Sequence, residues 1–361
     1  MEEIINNFAF KFGSDKHQIY SPLSIVYALS IVHQGANGKT ERQLDSVFGG
    51  KYTVEELEKI NKHFNDKKTS VSNVMVVNKD HPVKEKFLEM VSTITSISNE
   101  DFSKPSSQKL VCSKVNKFVE TKTHSLIKKI LDVDDISNPL TLLVIVNTVY
   151  FKSKWEKEFD TQATIKDFKF TSTLNPEKRI PKKIDMMCRT SHYEYFSSGK
   201  FQMVEVPYKN NEYVMGYILP LGKQFNKEIN YLKDGLDCIP KLATRKVILK
   251  IPKFTQESTM VLNDKLKEMG MTYIFKKSPN RLTRICKDGV YVSKVIHKAI
   301  IINDEGGTEA AAATAVILTK RKGINLQPER LINFTADHTF VYYIRHTATN
   351  TLLFVGTFDG N

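Results

Sequence analysis

The sequence predicts an α+β fold built as a single domain over residues 1–361. Two observations carry this. Stretches with helical spacing of apolar residues and stretches of β-branched, strand-like residues are mixed along the whole chain. No long Pro/Gly/Ser linker, low-complexity tract or repeat divides it, and the length supports an ample core. The net charge is +13, with nine arginines among 53 basic residues. These cations are scattered and not clustered with aromatics on one face, so they read as solvated surface and no nucleic-acid partner is expected. No stretch is long enough to span a bilayer, and no membrane partner is expected. The N-terminal MEEIINNFAFKFGSDK has acidic residues where a signal peptide is basic, and it lacks an apolar core. A cytoplasmic protein is expected, with release lacking a cleavable signal as the extension. Cys112, Cys188, Cys238 and Cys286 lie far apart and form no CxxC pair, so buried free thiols are expected and no metal site.

In chain order, Ile4, Ile5, Phe8 and Phe10 approach helical spacing and predict a helix over 2–12. In Tyr20-Ser21-Pro22-Leu23-Ser24-Ile25, Ser21 suits an N-cap and Pro22 a first turn. The run through Ile31 is apolar nearly all round, so this helix should be buried. Gly35-Ala36-Asn37-Gly38-Lys39-Thr40 invites a phosphate-loop reading, which fails because His33 stands where its first glycine belongs. Thr40 with Gln43, and Thr53 with Glu56, each fit a capping box, the second opening a helix through about Phe64. Lys59, Lys62, His63, Lys67 and Lys68 make the end of that stretch basic. Val71 to Val77 reads as a strand, and residues 107–131 as a long amphipathic helix carrying Leu110, Val111, Val115, Phe118, Val119 and Leu126.

Leu142 to Phe151 is almost wholly apolar and predicts a central strand buried on both faces. Asn147 inside it must find hydrogen-bond partners. Trp155, the only tryptophan, reads as a core filler. Strands are expected at 164–172, Ile180 to His192, Gln202 to Tyr208, Glu212 to Leu219 and Val247 to Phe254, then a helix at 259–269 and a strand from Val290 to Asn303. The stretch that follows, NDEGGTEAAAATAVILTKR, supports two states. Its alanines suit a helix. As a strand it places Thr308, Ala310, Ala312, Thr314, Val316 and Leu318 on one small, uncharged face, which can slip between packed neighbours. The segment can therefore exist as an exposed loop or as a strand within a sheet.

Glu305, Gly307-Thr308-Glu309 and the small run Ala310 to Thr314 closely resemble the hinge of the reactive-centre loop of serpins. The resemblance extends along the chain. Ser21-Pro22-Leu23-Ser24-Ile25 is similar to the start of a central serpin helix. Asn147-Thr148-Val149-Tyr150-Phe151-Lys152-Ser153-Lys154-Trp155 matches another family motif, with Ser153 in place of glycine. Val204 to Tyr208, Ile251 to Phe254, Ser293 to Lys298, Phe334 to Phe340 and Ile344 to His346 also match, with Thr339 in place of proline. Asn280 to Arg284 departs from the family, and the segment from Arg321 to Phe334 is longer than in most relatives. The match is to the ovalbumin-like branch.

The resemblance implies a serpin fold of three β-sheets with about nine helices and an exposed reactive-centre loop at about 305–327. It implies a hinge formed by Glu305, Gly306, Gly307, Thr308, Glu309, Ala310, Ala311, Ala312, Ala313 and Thr314. It implies a shutter of Ser21, Ser24, Asn147 and His297, with Asn147 and His297 paired, and a breach of Trp155, Lys253 and Glu305. Family spacing places the scissile bond sixteen residues beyond Glu305, between Arg321 and Lys322. The expected function is suicide-substrate inhibition of trypsin-like serine proteases by a monomer that traps the acyl-enzyme through loop insertion. The protein is then bait for an enzyme, and it carries no nucleophile elbow, HExxH or dinucleotide fingerprint of its own. Alternatives are a non-inhibitory carrier or chaperone, or an inhibitor of a dibasic processing protease or a cysteine protease. No cofactor is expected. A heparin-like polysaccharide is the one further ligand considered, because the basic stretch at 59–68 occupies the chain position of the polysaccharide-binding helix of heparin-regulated serpins.

Overall fold

The computed structural model describes residues 2–13, 18–174, 180–223, 225–278, 281–308 and 330–360. They form nine α-helices and mixed sheets, an α+β architecture. Close approaches along the chain group into two compact units. The first comprises 1–12, 20–151 and 257–300, and the second 13–19, 152–256 and 301–361.

In the first unit, Glu2–Phe12 buries Ile5, Phe8, Ala9 and Phe12, one stripe of an amphipathic helix. Pro22–Gly35 is buried at every position except Gln34, as its unbroken apolar run requires. Four strands lie in the order Ser96–Glu100, Thr69–Asn78, Leu143–Phe151 and Val292–Asn303. Leu143–Phe151 is buried at every residue. Val74, Val76, Val144, Val146 and Ile296 point to one face and pack against Val111, Val115 and Val119 of the helix Pro105–Lys122. The alternate residues, Asn147 among them, point to the opposite face.

Three sequence expectations need correction here. The long helix ends at Lys122 and not near 131. His124 and Ser125 follow with φ of 48° and 67°, a left-handed pair that cannot continue a helix. The helix Gly38–Phe48 starts ahead of Thr40, and Gln43 is not part of a cap. Its Oε1 instead accepts the N–H groups of Thr272 and Tyr273 at 3.0 and 2.7 Å, a tertiary use that local spacing cannot reveal. The helix expected at 259–269 is Asn263–Glu268 alone, because Phe254–Val261 is a strand. Asn263 sets that boundary: its amide donates to Ser293 O at 2.7 Å and accepts from Val295 N at 2.9 Å.

In the second unit the strand order is Leu352–Phe358, Phe340–His346, Tyr213–Pro220, Phe201–Pro207, Ile180–Ser197, Ala243–Pro252, Ile332–Thr335. All neighbours are antiparallel except the last pair, which is parallel. The 18-residue strand Ile180–Ser197 takes three partners in turn. Ile165–Ser172 lies beside its start, Ala243–Pro252 beside its middle and Phe201–Pro207 beside its end, so all of these strands are joined through it into one continuous sheet. Tyr342 and Tyr343 are fully buried. Their rings occupy the space above Gly356 and Gly216, where an added Cβ would come within 2.3 and 2.1 Å of a ring carbon. Arg345 Nη2 pairs with Glu205 Oε2 at 2.6 Å, and Tyr343 OH donates to Glu205 Oε1 at 2.6 Å. This buried network joins two segments that the sequence marks only as separate motifs. All four cysteines are free; Cys112 and Cys286 are buried, Cys188 and Cys238 half-buried.

Candidate functional site

Two hydrogen-bonded networks stand out, one in each unit. In the first, Ser21 caps the helix Pro22–Gly35: its Oγ accepts the Ser24 N–H at 3.1 Å, and Pro22 begins the helix. Strand register places Asn73, Asn147 and His297 directly opposite one another on three adjacent strands. Asn147 Oδ1 accepts from Ser24 Oγ at 2.5 Å and lies 2.6 Å from His297 Nδ1. Its Nδ2 donates to Ser24 O at 2.9 Å and to Asn73 Oδ1 at 2.5 Å. All four hydrogen-bonding positions of the Asn147 amide are therefore used. The Ser21 N–H donates to His297 Nε2 at 3.1 Å, so the imidazole proton must sit on Nδ1, facing Asn147. Burial pushes the His297 pKa down to about 3, against the opposing effect of the Asn147 bond, and the ring is neutral at physiological pH. Ser21, Ser24, Asn147 and His297 are all fully buried.

The second network surrounds a tight turn. Asp304 Oδ1 accepts the N–H groups of Gly306 and Gly307 at 2.9 and 3.1 Å, an Asx-type turn that reverses the chain after Asn303. Gly307–Thr308 then forms a two-residue strand. It lies between Asn303, opposite Thr308, and Ser153–Lys154 on the other side. Gly307 has φ +144°, and a Cβ there would sit 2.3 Å from Ser153 O, so only glycine fits. Thr308 is 2 % exposed, and its hydroxyl is 2.6 Å from Tyr208 OH.

Trp155 stacks on Tyr208 with ring centres 4.4 Å apart at 11°, and its Nε1 donates to Asp304 O at 2.8 Å. Glu305 accepts from Lys253 Nζ at 2.7 Å and from Thr164 Oγ1 at 2.8 Å. Burial alone would raise the Glu305 pKa, but these hydrogen bonds outweigh it and hold the carboxyl below its ordinary range. Asp304 is pushed upward by burial, only partly offset by the two glycine N–H groups.

The family model described as Serpin (serine protease inhibitor) matches residues 5–359. The chain belongs to the serpin family. This serpin is 32% identical to an uncharacterized serpin-like protein of Acanthamoeba polyphaga mimivirus, over 98% of this chain and 87% of that protein. It is 30% identical to neuroserpin of Homo sapiens, over 95% of this chain and 86% of the relative. Among solved structures, native protease nexin-1 with heparin superposes with a TM-score of 0.84 at 25% identity, covering 100% of this chain and 99% of that one. Uncleaved ovalbumin gives a TM-score of 0.83 at 21% identity over 100% and 99% of the two chains, a likeness of fold. Family membership carries protease inhibition as the general activity and a target protease as the general partner.

The structure of this serpin brings Ser21, Ser24, Asn147 and His297 into one network, and Trp155, Lys253 and Glu305 into the other. The described part of the hinge, Glu305 to Thr308, is buried, where the resemblance implied an exposed loop beginning at about 305. The physical reason is the Asp304 turn, which feeds Gly307 and Thr308 straight into strand pairing. Glu309, Ala310, Ala311, Ala312, Ala313, Thr314, Arg321 and Lys322 lie outside the described residues. Sequence reasoning missed Asn73, Thr164 and the Tyr208–Thr308 pair. Asn73 left one signal, an amide next to Ser72 in the strand-like stretch Val71 to Val77; the others left none.

Proposed function

We propose that this serpin is a suicide-substrate inhibitor of trypsin-like serine proteases, with Arg321–Lys322 as the reactive bond. The observation that supports this reading most is the pairing of Gly307 and Thr308 with strands on both sides. A chain that starts as a strand at Thr308 and continues through four alanines to Thr314 is suited to lengthening that strand. No charge or proline interrupts the small face made by Thr308, Ala310, Ala312 and Thr314.

In this reading the protease serine attacks the Arg321 carbonyl carbon. The C–N bond to Lys322 breaks, the protease histidine passes its proton to the departing amine, and Arg321 remains as an ester on the enzyme. Insertion then requires Leu143–Phe151 and Val292–Asn303 to separate; they are now paired directly from Leu143 opposite Val292 to Val149 opposite Ala299. That parting breaks the His297–Asn147 bond. Each backbone hydrogen bond gained is worth roughly 0.5–1.5 kcal/mol net, so about a dozen outweigh the side-chain bonds lost. Arginine at the reactive position suits proteases whose specificity pocket ends in a carboxylate. The dibasic Lys320-Arg321 makes a processing protease the second target class.

Incubation with trypsin followed by denaturing electrophoresis tests the mechanism: a stable covalent adduct is expected, whereas clean cleavage alone favours a carrier. Mass spectrometry of the released C-terminal fragment tests the bond. A new N-terminus at Lys322 is expected; one within Ala315 to Leu318 redirects the protein to elastase- or chymotrypsin-like targets.

A heparin-like polysaccharide is the second ligand we propose, on Lys62, His63, Lys67 and Lys68 at the end of the helix Val54–His63. Lys59 contributes less, because its ammonium pairs with Glu55 at 2.9 Å. The likeness to protease nexin-1 supports this ligand, that structure having been determined with heparin. Elution from immobilised heparin at the same salt by the wild type and a Lys62→Gln/Lys67→Gln/Lys68→Gln variant would remove it.

A further inference from the structure

Two cross-links tie the start of the helix Gly38–Phe48 to a segment far along the chain. Gln43 Oε1 accepts the N–H groups of Thr272 and Tyr273, and Asn37 Nδ2 donates to Thr283 Oγ1 at 2.7 Å. Lys39 lies one turn before Gln43 on the same side of that helix, so it is carried to Tyr273. Three cations gather there around one ring. The Lys276 ammonium is 4.3 Å from the centre of the Tyr273 ring, the Arg281 guanidinium carbon 4.6 Å and the Lys39 ammonium 5.8 Å. The backbone of Arg281 is fixed by its carbonyl, which accepts the Val290 N–H at 2.7 Å. All of these residues belong to the first unit.

The positive charge is not compensated. Among the described residues no carboxylate pairs with Lys39, Lys276 or Arg281, and Arg281 Nε is buried with no acceptor. Glu41, two residues after Lys39, is already taken by Lys51 at 2.8 Å and by Arg284 at 3.2 Å. Cation–π attraction offsets only part of the repulsion between three like charges held so close. A bound anion removes the rest, and the orphaned Arg281 N–H calls for an oxygen. Arg281 comes from Asn280 to Arg284, the stretch in which this chain departs from other serpins, so the cluster is not part of the family pattern.

The anion has to match three positive charges in a small volume. Sulfate esters and carboxylates bring one negative charge each, whereas two phosphate groups together bring about three to four. A guanidinium fork and ammonium point charges both suit phosphate oxygens. We propose that Lys39, Lys276 and Arg281 bind a ligand carrying two neighbouring phosphate groups. Arg281 grips one phosphate through its fork, and the two lysines neutralise the remaining charge. None of the residues assigned above to the polysaccharide takes part.

Calorimetric titration of the full chain with inorganic pyrophosphate tests this, with sulfate at matched ionic strength as the comparison. Saturable binding at one site is expected with a Kd on the order of 10–100 µM, and sulfate should bind at least about tenfold more weakly. Arg281→Gln and, on the exposed helix start, Lys39→Gln should each weaken pyrophosphate about tenfold. Lys62→Gln/Lys67→Gln/Lys68→Gln removes as much charge elsewhere and should leave it unchanged. The same phosphate chemistry can be free in solution or on a lipid headgroup. Sedimentation with phosphatidylcholine vesicles carrying phosphatidylinositol bisphosphate, reversed by pyrophosphate, assigns the lipid source; pyrophosphate binding with no sedimentation assigns the soluble one. Absence of pyrophosphate binding, equal affinity for sulfate, or equal weakening by the triple variant overturns the proposal. The trypsin adduct is scored separately, so failure here and failure of the inhibitory reading are distinguishable.

Discussion

His297 Nδ1 lies 2.6 Å from Asn147 Oδ1 across two parallel strands, and the Ser21 N–H, 3.1 Å from Nε2, closes the other side of the ring. The imidazole therefore has a donor and an acceptor role assigned, and no place for a second proton.

A pH dependence follows from that arrangement. The folded pKa is about 3 against an ordinary value of 6.5, so between these limits the unfolded chain binds a proton that the folded chain refuses. The stabilisation is complete above 6.5 and is lost as pH falls, by up to ~1.4 kcal/mol per pH unit. Urea unfolding at several pH values between 7 and 4 should show this slope in the wild type and a shallower one in His297→Ala. Parallel slopes would remove His297 as the cause.

The hinge makes a sharper demand. Thr308 is buried against Tyr208, so Thr308→Arg forces a long cationic side chain into a buried site. Trypsin is expected to cleave this variant while the covalent adduct disappears. Thr308→Val, which loses only the hydroxyl, should retain adduct and cost about 1 kcal/mol. Equal adduct yield from wild type and Thr308→Arg would sink the insertion mechanism.

Gly307→Ala tests the same strand through its backbone. At φ +144° a methyl group meets Ser153 O, and the two-residue strand cannot keep its place. The expected loss is about 2 kcal/mol in chemical denaturation, together with new proteolytic sensitivity next to residue 307. An unchanged unfolding midpoint would mean that Gly307–Thr308 is not paired in solution.

Lys253 and Glu305 supply the fourth test. Lys253→Ala leaves Glu305, 7 % exposed, with Thr164 as its remaining side-chain donor. Because the lysine side chain is itself 43% exposed, a loss of only about 1 kcal/mol is expected. The Glu305 pKa lies below the ordinary 4.5, so the ion pair stabilises above that pH and its contribution fades as acid protonates the carboxyl. Wild type and Lys253→Ala should therefore converge in stability towards acid pH. Divergence there would contradict the assignment.

Local chemistry makes several features legible in the chain itself. Ser21 and Pro22 announce a capped helix because an N-cap needs only neighbouring residues, and Thr53 with Glu56 does the same. Asn147 stands out as an amide in an apolar strand, and the resemblance to serpins pairs it with His297. Apolar periodicity also locates the buried strand Leu143–Phe151 to within a residue.

The capped helix starts and the small face after Glu305 are written in the order of the residues. That Asn73, Asn147 and His297 share one row, that Gln43 reaches Thr272, and that Arg345 meets Glu205 emerges when the chain is folded. The reason is register. A slip of one residue between strands turns every side chain to the other face, and register is set by packing over the whole sheet, which no local window contains. The same holds for Thr308: its sequence permits a loop or a strand, and the Asp304 turn with pairing to Asn303 and Ser153 selects the strand.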